Sequence, residues 1–321
     1  MKTIFVTGAE GFCGRHTVTF LKQKGYDVVG GVRNRARKLA YERRHGKALV
    51  CDVSDAISSA RAIASVKPDA VIHLASTSRA GEAASDPLTA YQTIVSGWAN
   101  VLDGVRRAVP RARVVLASAW EVYGSSFQAD QPIDESATCR PVATFGEMKC
   151  SAEAIAATYF KNYHLNLSIV RPFNMVGAGQ SEQFFFGAVA KRVVEWDAAT
   201  GGNELRLPDL AFRRDVLHVA DVVTALEKVT QSGKPNETYN ICSGLARTVR
   251  DLVQGIANAA GRSLTLSDLQ PATPGTTPFS CGRNQKLREL GWQPTNSVDQ
   301  GIQELVSGYA TPANSPAATT A

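Results

Sequence analysis

Short apolar runs alternate with stretches of helical periodicity from the first residues of this chain. The apolar runs are KTIFVT, DVVGGV, KALVCDV, AVIHLAS, RVVLAS and NLSIVRP. Parallel strands that are buried on both faces read as continuous apolar runs, and their alternation with helices indicates a doubly wound sheet. The pattern therefore predicts an α/β Rossmann fold, a doubly wound parallel sheet with a smaller C-terminal lobe.

The later part of the chain has sparser strands and a higher density of Gly and Pro. We expect residues 1–172 to form a dinucleotide-binding domain whose sheet is completed by segments near 213–243. Residues 173–307 should mainly form a substrate-binding lobe. The stretch 308–321 lacks periodicity and large apolar side chains, which is typical of a disordered tail.

The composition is that of an ordinary soluble globular protein, with 44% hydrophobic and 20% charged residues in a chain of 321. The apolar run at the N-terminus is short and Gly8 interrupts it, so we expect no signal peptide. No later run is long enough to span a bilayer. We therefore expect a cytoplasmic protein that does not bind a membrane.

Neither the cysteines nor the net charge indicates a metal or a nucleic acid. The six cysteines form no C-x-x-C pair and the histidines show no H-x-x-x-H spacing, so no metal site is predicted. The net charge of +6 comes partly from RNRARK and RRAVPRAR, which lack base-stacking aromatic residues. A solvated surface or a small phosphorylated ligand fits these runs better than a nucleic acid.

A glycine-rich turn follows the first predicted strand. In VTGAEGFCG, Gly8, Gly11 and Gly14 stand between this strand and the start of a helix. Glycines here allow a tight turn and bring the backbone close to a pyrophosphate at the positive end of the helix dipole. The turn therefore predicts a dinucleotide site.

The end of the second predicted strand leaves the choice of dinucleotide open. NAD enzymes usually carry an acid there for the ribose 2′-hydroxyl, whereas GGVRNR supplies Arg33 and Arg35, which suit a 2′-phosphate. Asp52 fits a contact to the adenine amino group, and the HLAS segment (His73–Ser76) fits a strand end beneath the cofactor. This pattern alone favours NADP.

Motifs spread over about residues 1–305 occur in the order of a known family. They are T-G-x-x-G-F-x-G, CDVSD, PDAVIHLAS, VVLASAWEVYG, FGEMK, RPFN, RRDVLHVADVV, YNICSG and QKLRELGWQP. Together they resemble the extended short-chain dehydrogenase/reductase family, and within it the nucleotide-sugar epimerases and dehydratases. The resemblance implies a nicotinamide cofactor, a nucleoside-diphosphate sugar, and a homodimer through the helices near Trp98 and Phe145.

The family's catalytic pattern is a Ser or Thr plus Y-x-x-x-K, in which the tyrosine takes a proton from a sugar hydroxyl while hydride leaves for the nicotinamide. This chain keeps Lys149 but has Phe145 at the tyrosine and Ala119 at the Ser/Thr. Because phenylalanine cannot ionise, another group must handle that proton if the sugar is oxidised. The candidates are Lys149 itself, Glu121, Tyr123 and Cys150.

A second departure from the pattern favours a dehydratase. In the family's sugar 4,6-dehydratases the same loop reads T-D-E-V-Y-G, where the glutamate removes the C5 proton and the aspartate helps the C6 hydroxyl to leave. Here Glu121 matches the glutamate and Trp120 replaces the aspartate. Oxidation at C4 makes the C5 hydrogen acidic, so a carboxylate can then drive loss of the C6 hydroxyl. The alternative is that Glu121 is a salt-bridged loop residue.

The glycine turn and the resemblance together assign residues to each ligand. Those implied for the cofactor are Gly8, Gly11, Phe12, Gly14, Arg33, Asp52, Val53, Leu74, Ala75, Ser76, Lys149 and Pro172. Those implied for the sugar nucleotide are Ser78, Trp120, Glu121, Phe145, Asn174, Arg206 and Arg214. The planar guanidinium of Arg214 suits a diphosphate.

Three functions follow as hypotheses. The leading one is a nucleotide-sugar dehydratase with an internally recycled cofactor, NAD by the resemblance or NADP by Arg33, acting on UDP-N-acetylglucosamine. Its hydride returns either to C6, giving a 6-deoxy-4-keto sugar, or to C4, giving a 5,6-alkene, which the loss of the acid at Trp120 favours. The alternatives are a 4-epimerase or ketoreductase with an unusual proton donor, and a catalytically silent sensor of dinucleotide or sugar nucleotide.

Overall fold

The computed structural model describes residues 2–77, 80–196, 202–269 and 277–310. Its helices are α1 (Phe12–Gln23), α2 (Arg35–His45), α3 (Ala56–Val66), α4 (Ala80–Ser85), α5 (Pro87–Tyr91), α6 (Gly97–Ala108), α7 (Thr144–Tyr163), α8 (Phe185–Val194), α9 (Val219–Ser232), α10 (Val249–Ala259), α11 (Gln285–Glu289) and α12 (Val298–Ala310). Its strands are β1 (Thr3–Thr7), β2 (Asp27–Val32), β3 (Ala48–Val50), β4 (Ala70–His73), β5 (Arg113–Ala117), β6 (Leu167–Pro172), β7 (Asn174–Val176), β8 (Glu204–Leu207), β9 (Arg213–His218), β10 (Thr238–Ile241), β11 (Ala246–Thr248), β12 (Thr265–Asp268) and β13 (Phe279–Ser280).

A parallel sheet of seven strands forms the centre of the N-terminal part, in the order β3-β2-β1-β4-β5-β6-β10. The direction of winding changes between β1 and β4. In open α/β sheets, ligands bind in the crevice that such a change creates outside the carboxyl ends of the strands. The predicted doubly wound α/β fold is confirmed.

Helices bury both faces of this sheet. The face covered by α3, α6 and α7 encloses a core that includes Phe5, Trp98 and Leu116. The opposite face packs against α1 and α9, around Leu21 and Leu226. Burial on both sides explains why these strands read as unbroken apolar runs.

A smaller lobe is built from the later strands. β9 lies between β11 and β13 and also pairs with β7, while β8 pairs with β12. Helices α8, α10 and α12 close a separate core over these strands, with Val253, Ile256 and Leu305 fully buried. The lobe therefore carries its own hydrophobic support.

The observed boundaries differ from the predicted ones in three places. β10 and α9 complete the large sheet and its cover, but β9, at 213–218, belongs to the small sheet. Leu287 and Trp292, placed by sequence in the lobe, pack on the core of the large sheet. The predicted tail from 308 is wrong for its first residues, because α12 continues to Ala310; residues 311–321 lie outside the described residues.

Two features bear on the class of function. In the described ranges, no helix combines the length and the apolar character needed to cross a bilayer. No group of three or more His, Cys, Asp or Glu side chains among the same residues is arranged to hold a metal ion.

Candidate active site

Glycines shape the turn between β1 and α1. Gly8 has a φ of +67°, and a Cβ there would lie 2.7 Å from the backbone nitrogen of Ala75. A Cβ on Gly14 would lie 2.1 Å from the carbonyl oxygen of Gly8. Gly11 precedes α1 with no side-chain cap, so the first N–H groups of the helix keep their capacity to bind an anion. The turn fits a pyrophosphate.

The adenosine side of the crevice lies at the ends of β2 and β3. Arg33 follows β2 with its side chain 59% exposed, and its Nε lies 3.7 Å from Oδ2 of Asp52. Oδ1 of Asp52 accepts hydrogen bonds from the backbone N–H and the hydroxyl of Ser54. An exposed ion pair is weak, so Arg33 can turn toward a ligand. This geometry accommodates either a 2′-hydroxyl or a 2′-phosphate.

The remaining positions implied for the cofactor lie along the carboxyl edge of the sheet: Phe12, Val53, Leu74, Ala75, Ser76 and Pro172. Beside them, His73 Nε2 and Thr77 Oγ1 are buried and have no hydrogen-bond partner in the described part of the chain. Buried polar groups are nearly always paired, so these atoms suit a polar ligand. Together with the glycine turn, they fit a nicotinamide dinucleotide.

Lys149 lies on α7, one helical turn after Phe145, and is almost completely buried. Its Nζ donates a hydrogen bond of 2.8 Å to the carbonyl oxygen of Ala117 at the end of β5. The ammonium lies 5.5 Å from the ring centroid of Phe145 and 5.8 Å from that of Trp98. Burial lowers the pKa of Lys149 to about 8, against the attraction of Glu121. This amine can therefore exchange a proton close to neutral pH.

Glu121 lies in a short 3₁₀ turn, Trp120–Val122, directly after β5. Burial raises the pKa of its carboxyl to about 7, while the charges of Lys149 and Arg214 act in the opposite direction. Within the described ranges the Glu121 carboxylate forms no ion pair. The alternative interpretation, in which Glu121 is a salt-bridged loop residue, therefore has no cationic partner among these residues. A carboxyl that titrates near neutral pH suits a general base.

The Glu121 turn and α7 touch through their main chains. A Cβ on Gly146 would lie only 2.6 Å from the carbonyl oxygen of Glu121. Gly146 stands between Phe145 and Lys149 on the first turns of the helix. The absence of a side chain there lets the turn and the helix approach closely, which fixes the positions of the carboxyl and the ammonium relative to each other.

Trp120 and Arg214 form an aromatic and cationic pair beside Glu121. The Trp120 ring stacks on Phe173 with centroids 6.3 Å apart and planes 26° apart. The Arg214 guanidinium lies 5.8 Å from the centroid of the Trp120 ring. Burial lowers the pKa of Arg214 to about 10, opposed by the charges of Asp209 and Glu121. A partly desolvated guanidinium of this kind suits a diphosphate.

The two hydroxyl positions of the family pattern are apolar and buried. Phe145 and Ala119 pack into the core beneath α6 and α7. Next to them, Ser118 Oγ and Trp98 Nε1 are buried with no hydrogen-bond partner among the described residues. Sequence reasoning did not single out Ser118, although the signal was a polar residue at the end of the apolar run RVVLAS.

Tyr123 was a candidate for the missing proton donor, and its surroundings correct that prediction. Its phenol is fully buried and donates a hydrogen bond of 2.6 Å to Oδ1 of Asn240. The guanidinium of Arg171 lies 4.8 Å from its ring centroid. Burial raises the pKa of Tyr123 above its ordinary value. These surroundings favour a role in core packing over proton transfer.

Cys150 was a second candidate, and it too is corrected. Its thiol donates to the carbonyl oxygen of Val122 at 3.8 Å and packs in the cluster around Tyr123. Because it directly follows Lys149 on α7, it points to a different side of the helix. A hydrogen bond with Cys139, and then burial, raise the pKa of the Cys150 thiol. The geometry leaves it outside the proton path.

The other substrate positions are less closely grouped. Asn174 begins β7 and donates a hydrogen bond of 3.2 Å to the carbonyl oxygen of Asp215. Arg206 lies on the exposed side of β8, where Glu204 holds it at 2.9 Å. Among the described residues, no hydrogen bond or ion pair connects Arg206 to Glu121. Ser78 lies outside the described residues.

Asp215 is a structural residue that sequence reasoning did not identify. It is fully buried and accepts hydrogen bonds from the backbone N–H groups of Ser243, Gly244 and Gly282. Burial raises the pKa of its carboxyl to about 6. These bonds fix the strand that presents Arg214. The motif RRD could have predicted this role, because an acidic residue inside a buried strand needs several hydrogen-bond donors.

Comparison with known proteins now places the chain. The sequence profile of the GDP-mannose 4,6 dehydratase family matches residues 5–305. The chain belongs to this family. It is a member of the nucleotide-sugar epimerase and dehydratase branch of the extended short-chain dehydrogenases/reductases, as predicted. Its activity class is that of an NAD(P)-dependent enzyme that modifies a nucleotide sugar.

Two relatives show how widely this family varies. GDP-6-deoxy-D-mannose reductase of Pseudomonas aeruginosa is 27% identical over 244 residues, which cover 75% of this chain and 80% of the relative. UDP-glucose 4-epimerase of Rhizobium leguminosarum bv. trifolii is 27% identical over an alignment of 335 residues, which covers 96% of this chain and 98% of the relative. The percentage identity is the same for the reductase and for the epimerase, although the aligned share of this chain differs.

Two solved structures share the fold. RMD from Pseudomonas aeruginosa, complexed with NADPH, has a TM-score of 0.83 at 25% identity and covers 97% of this chain and 98% of its own. UDP-glucose 4-epimerase of Thermus thermophilus, complexed with NAD, has a TM-score of 0.86 at 24% identity, with 97% and 99% covered. The first of these proteins is complexed with NADPH and the second with NAD, so the shared fold accommodates either dinucleotide in these structures.

Proposed function

We propose that this chain is a nucleotide-sugar dehydratase in which Glu121 removes the C5 proton. The observation that carries the proposal is the position of Glu121: its turn meets α7 at Gly146, near Lys149, and burial raises the pKa of its carboxyl to about 7 against the charges of Lys149 and Arg214. Cofactor and sugar binding alone would not require a carboxyl at this place. A base beside an oxidised sugar does require one.

Lys149 takes the role left open by the missing tyrosine. When bound, the nicotinamide supplies the acceptor and later the donor of the hydride. Lys149, with its pKa lowered to about 8, is neutral in part of the population and can accept the C4 hydroxyl proton. Glu121 then accepts the C5 proton, which the adjacent ketone has made acidic. Lys149 and Glu121 thereby carry out the proton transfers for which the family pattern also uses a tyrosine and a Ser or Thr.

Trp120 influences where the hydride returns. The indole cannot deliver a proton to the departing C6 hydroxyl in the way an aspartic acid would. Glu121 must therefore give its newly gained proton to that hydroxyl, which leaves as water. No proton then remains on Glu121 for C5, so the hydride returns to C4, O4 regains its proton from Lys149, and a 5,6-alkene results.

For the substrate we propose UDP-N-acetylglucosamine, with Arg214 on its diphosphate. The buried guanidinium beside Trp120 supports this placement. In its predicted product the chain resembles the UDP-N-acetylglucosamine 5,6-dehydratase of tunicamycin biosynthesis. For the cofactor we propose NAD, with NADP as the alternative that Arg33 allows. Identifying the nucleotide released on denaturation distinguishes the two.

The test is turnover of UDP-N-acetylglucosamine, and of GDP- and dTDP-hexoses, in heavy water with product analysis by mass spectrometry. The expected product has lost one water and carries an alkene without deuterium at C5. Glu121→Gln should abolish water loss while the cofactor stays bound. Glu147→Gln, which changes an exposed carboxylate on α7, is the matched control and should keep full activity.

Other products would assign another function. Water loss with deuterium at C5 would keep the dehydratase but place the hydride on C6. Inversion at C4 without water loss would make the chain an epimerase, and unaltered turnover by Glu121→Gln would remove Glu121 from the chemistry. A nucleotide sugar that binds and returns unchanged would make it a sensor.

A ketoreductase or 4-epimerase is the second candidate, because one observation favours it. Arg33 stands where NAD enzymes carry an acid, which is compatible with a cofactor that carries a 2′-phosphate. Reduction of a 4-keto sugar nucleotide by added NADPH, with no water loss from hexoses, would establish this alternative.

We also propose a homodimer through α6 and α7. Trp98 and Phe145 are buried within the chain, so they support the surface but do not form it. Tyr163 is 49% exposed at the end of α7, with the Arg106 guanidinium 4.9 Å from its ring centroid. Sedimentation of wild type and Tyr163→Glu tests this face; a monomeric wild type would exclude the dimer.

A further inference from the structure

Two half-buried cysteines lie together behind the candidate active site. Cys139 is in the segment before α7, and Cys150 is on the second turn of that helix. Both pack against the cluster that contains Tyr123 and Phe173, and the interaction between the two thiols shifts the pKa of each. They are free thiols in the structure. Neither residue takes part in the proposed proton path.

A buried ion pair gives this thiol pair its chemical character. Nη2 of Arg171 donates to Cys139 Sγ at 3.3 Å. The same nitrogen lies 2.6 Å from Oε2 of Glu153, so the guanidinium is fixed by a side chain of α7. The interaction with the Cys150 thiol and the charge of Arg171 lower the pKa of the Cys139 thiol below its ordinary value. Cys139 is thereby favoured as the thiolate.

The other four cysteines differ in this respect. Cys51, Cys242 and Cys281 are buried, and Cys13 is hydrogen-bonded within α1. Burial raises the pKa of the Cys13 thiol to about 11 and those of Cys51 and Cys281 to about 12. Burial also raises the pKa of Cys242. Within one chain, these residues are internal controls for Cys139.

We propose that Cys139 and Cys150 form a modification site, a thiol pair that reacts with peroxide and closes to a disulfide. The Cys139 thiolate attacks a peroxide oxygen, the O–O bond breaks, and Cys139 becomes a sulfenic acid. The Cys150 thiol then attacks that sulfur and displaces the oxygen as water. In total, two thiols and one hydrogen peroxide give one disulfide and two waters, so the oxidant is peroxide and the thiols are oxidised.

The position of the pair connects this reaction to the active site. Cys150 directly follows Lys149, and its thiol contacts the carbonyl of Val122, the neighbour of Glu121. A disulfide joins α7, which carries Lys149, to the segment that contains Cys139, and it removes the thiol proton that Cys150 shares with the Val122 carbonyl. We expect oxidation to lower turnover reversibly.

The first test does not depend on the proposed function. The full-length protein is treated with iodoacetamide at neutral pH, and alkylated peptides are counted by mass spectrometry over time. Cys139 should react about 10-fold faster than the other cysteines, or more. Hydrogen peroxide should then yield a Cys139–Cys150 linked peptide that dithiothreitol removes. Cysteines that react at equal rates, or peroxide treatment that leaves both residues separately alkylatable, would overturn the proposal.

Variants separate a reactive pair from a reactive single cysteine. In Cys150→Ser, peroxide should leave Cys139 as a sulfenic acid that dimedone captures. In Cys13→Ser the linked peptide should form as in wild type. Thermal unfolding of each variant establishes that it is folded. A linked peptide lost equally in Cys13→Ser and Cys150→Ser would show that general unfolding, not this pair, controls the reaction.

Discussion

Two regions of this protein differ in what limits the choice of residues. One is the cofactor edge, formed by the glycine turn and the strand ends beside it; the other is the candidate active site around Glu121 and Lys149. At the cofactor edge, the glycine turn meets β4 and α1 through backbone atoms, and Gly8 and Gly14 leave no room for a side chain. At the candidate active site, the proposed chemistry depends on side chains. There Phe145 and Ala119 stand where the family pattern has hydroxyls, while Lys149 and Glu121 match their positions in the pattern.

The difference explains why one region keeps the family pattern and the other departs from it. A changed glycine would collide with main chain that cannot move independently. A changed phenol only removes a proton carrier, and a neighbouring group with a shifted pKa can replace it. Perturbing each region in turn should therefore give effects of different kinds and sizes.

The largest effect is expected from Gly14→Ala. Its Cβ would lie 2.1 Å from the carbonyl oxygen of Gly8, so the turn must open and the cofactor should be lost. We expect destabilisation on the order of 3 kcal/mol or more, with no nucleotide released on denaturation. Gly255→Ala in α10 is the control, since its Cβ would meet only the end of Ile302 at 3.4 Å. Equal cofactor content in both variants would contradict the comparison.

Lys149→Met should come next, with a loss of about 10² to 10⁴ in turnover, the range of general acid–base catalysis. In wild type, the rate should rise with pH as Glu121 and Lys149 lose protons, through about 7 and about 8. Because the two groups interact, the profile reports the pair rather than either residue. The variant should lose the upper step only. A rate that falls over this pH range would oppose both assigned roles.

Phe145→Tyr should have a smaller effect and in the opposite direction. It restores a phenol one helical turn before Lys149, whose Nζ lies 5.5 Å from the Phe145 ring centroid. We expect about a 10-fold faster C4 oxidation, at the low end of general-base effects because Lys149 already carries part of the role. Transient reduced nicotinamide, followed by absorbance, measures it. A slower oxidation would mean that the residues packed around the Phe145 ring do not accommodate a phenol hydroxyl in a productive position.

The smallest effect is on stability, from Glu121→Gln. The folded-state pKa of Glu121 is raised from 4.5 to about 7, so its stabilising contribution is complete below 4.5 and is lost as pH rises through about 7. At pH 8 the free energy of unfolding of the variant should therefore be about 1–2 kcal/mol higher than that of wild type, after discounting for partial exposure. The two should be nearly equal at pH 4.5. Denaturant unfolding at both pH values, with Glu147→Gln as control, tests this.

Most of the fold could be predicted from the sequence because it depends on regular patterns. The apolar runs specified the parallel strands, and the spacing of Gly8, Gly11 and Gly14 identified the dinucleotide turn. The placement of β9 in a second sheet could not be predicted, because pairing with β7 and β11 depends on contacts distant in sequence. A segment read only as strand leaves its partners undetermined.

Glu121 and Lys149 remain predicted site residues, because sequence spacing and chemistry agree there and their two elements meet at Gly146. The surroundings of Tyr123 and Cys150 could not be predicted, because adjacency along the chain does not show which side of an element a residue faces. Tyr123 lies in the core against Asn240, and Cys150 faces the Val122 carbonyl. The role of Asp215 was equally hidden, since its backbone donors come from two segments that are distant in sequence, at 243–244 and at 282.

Gly146 has a consequence for how this scaffold could change its reaction. Since the helix meets the Glu121 carbonyl at a position without a side chain, the spacing of acid and amine is held by main-chain contact. Neighbouring side chains could then be exchanged over many generations without altering that spacing. With this main-chain contact in place, one catalytic side chain can be lost and another can take its role while the distance between the carboxyl and the amine stays the same.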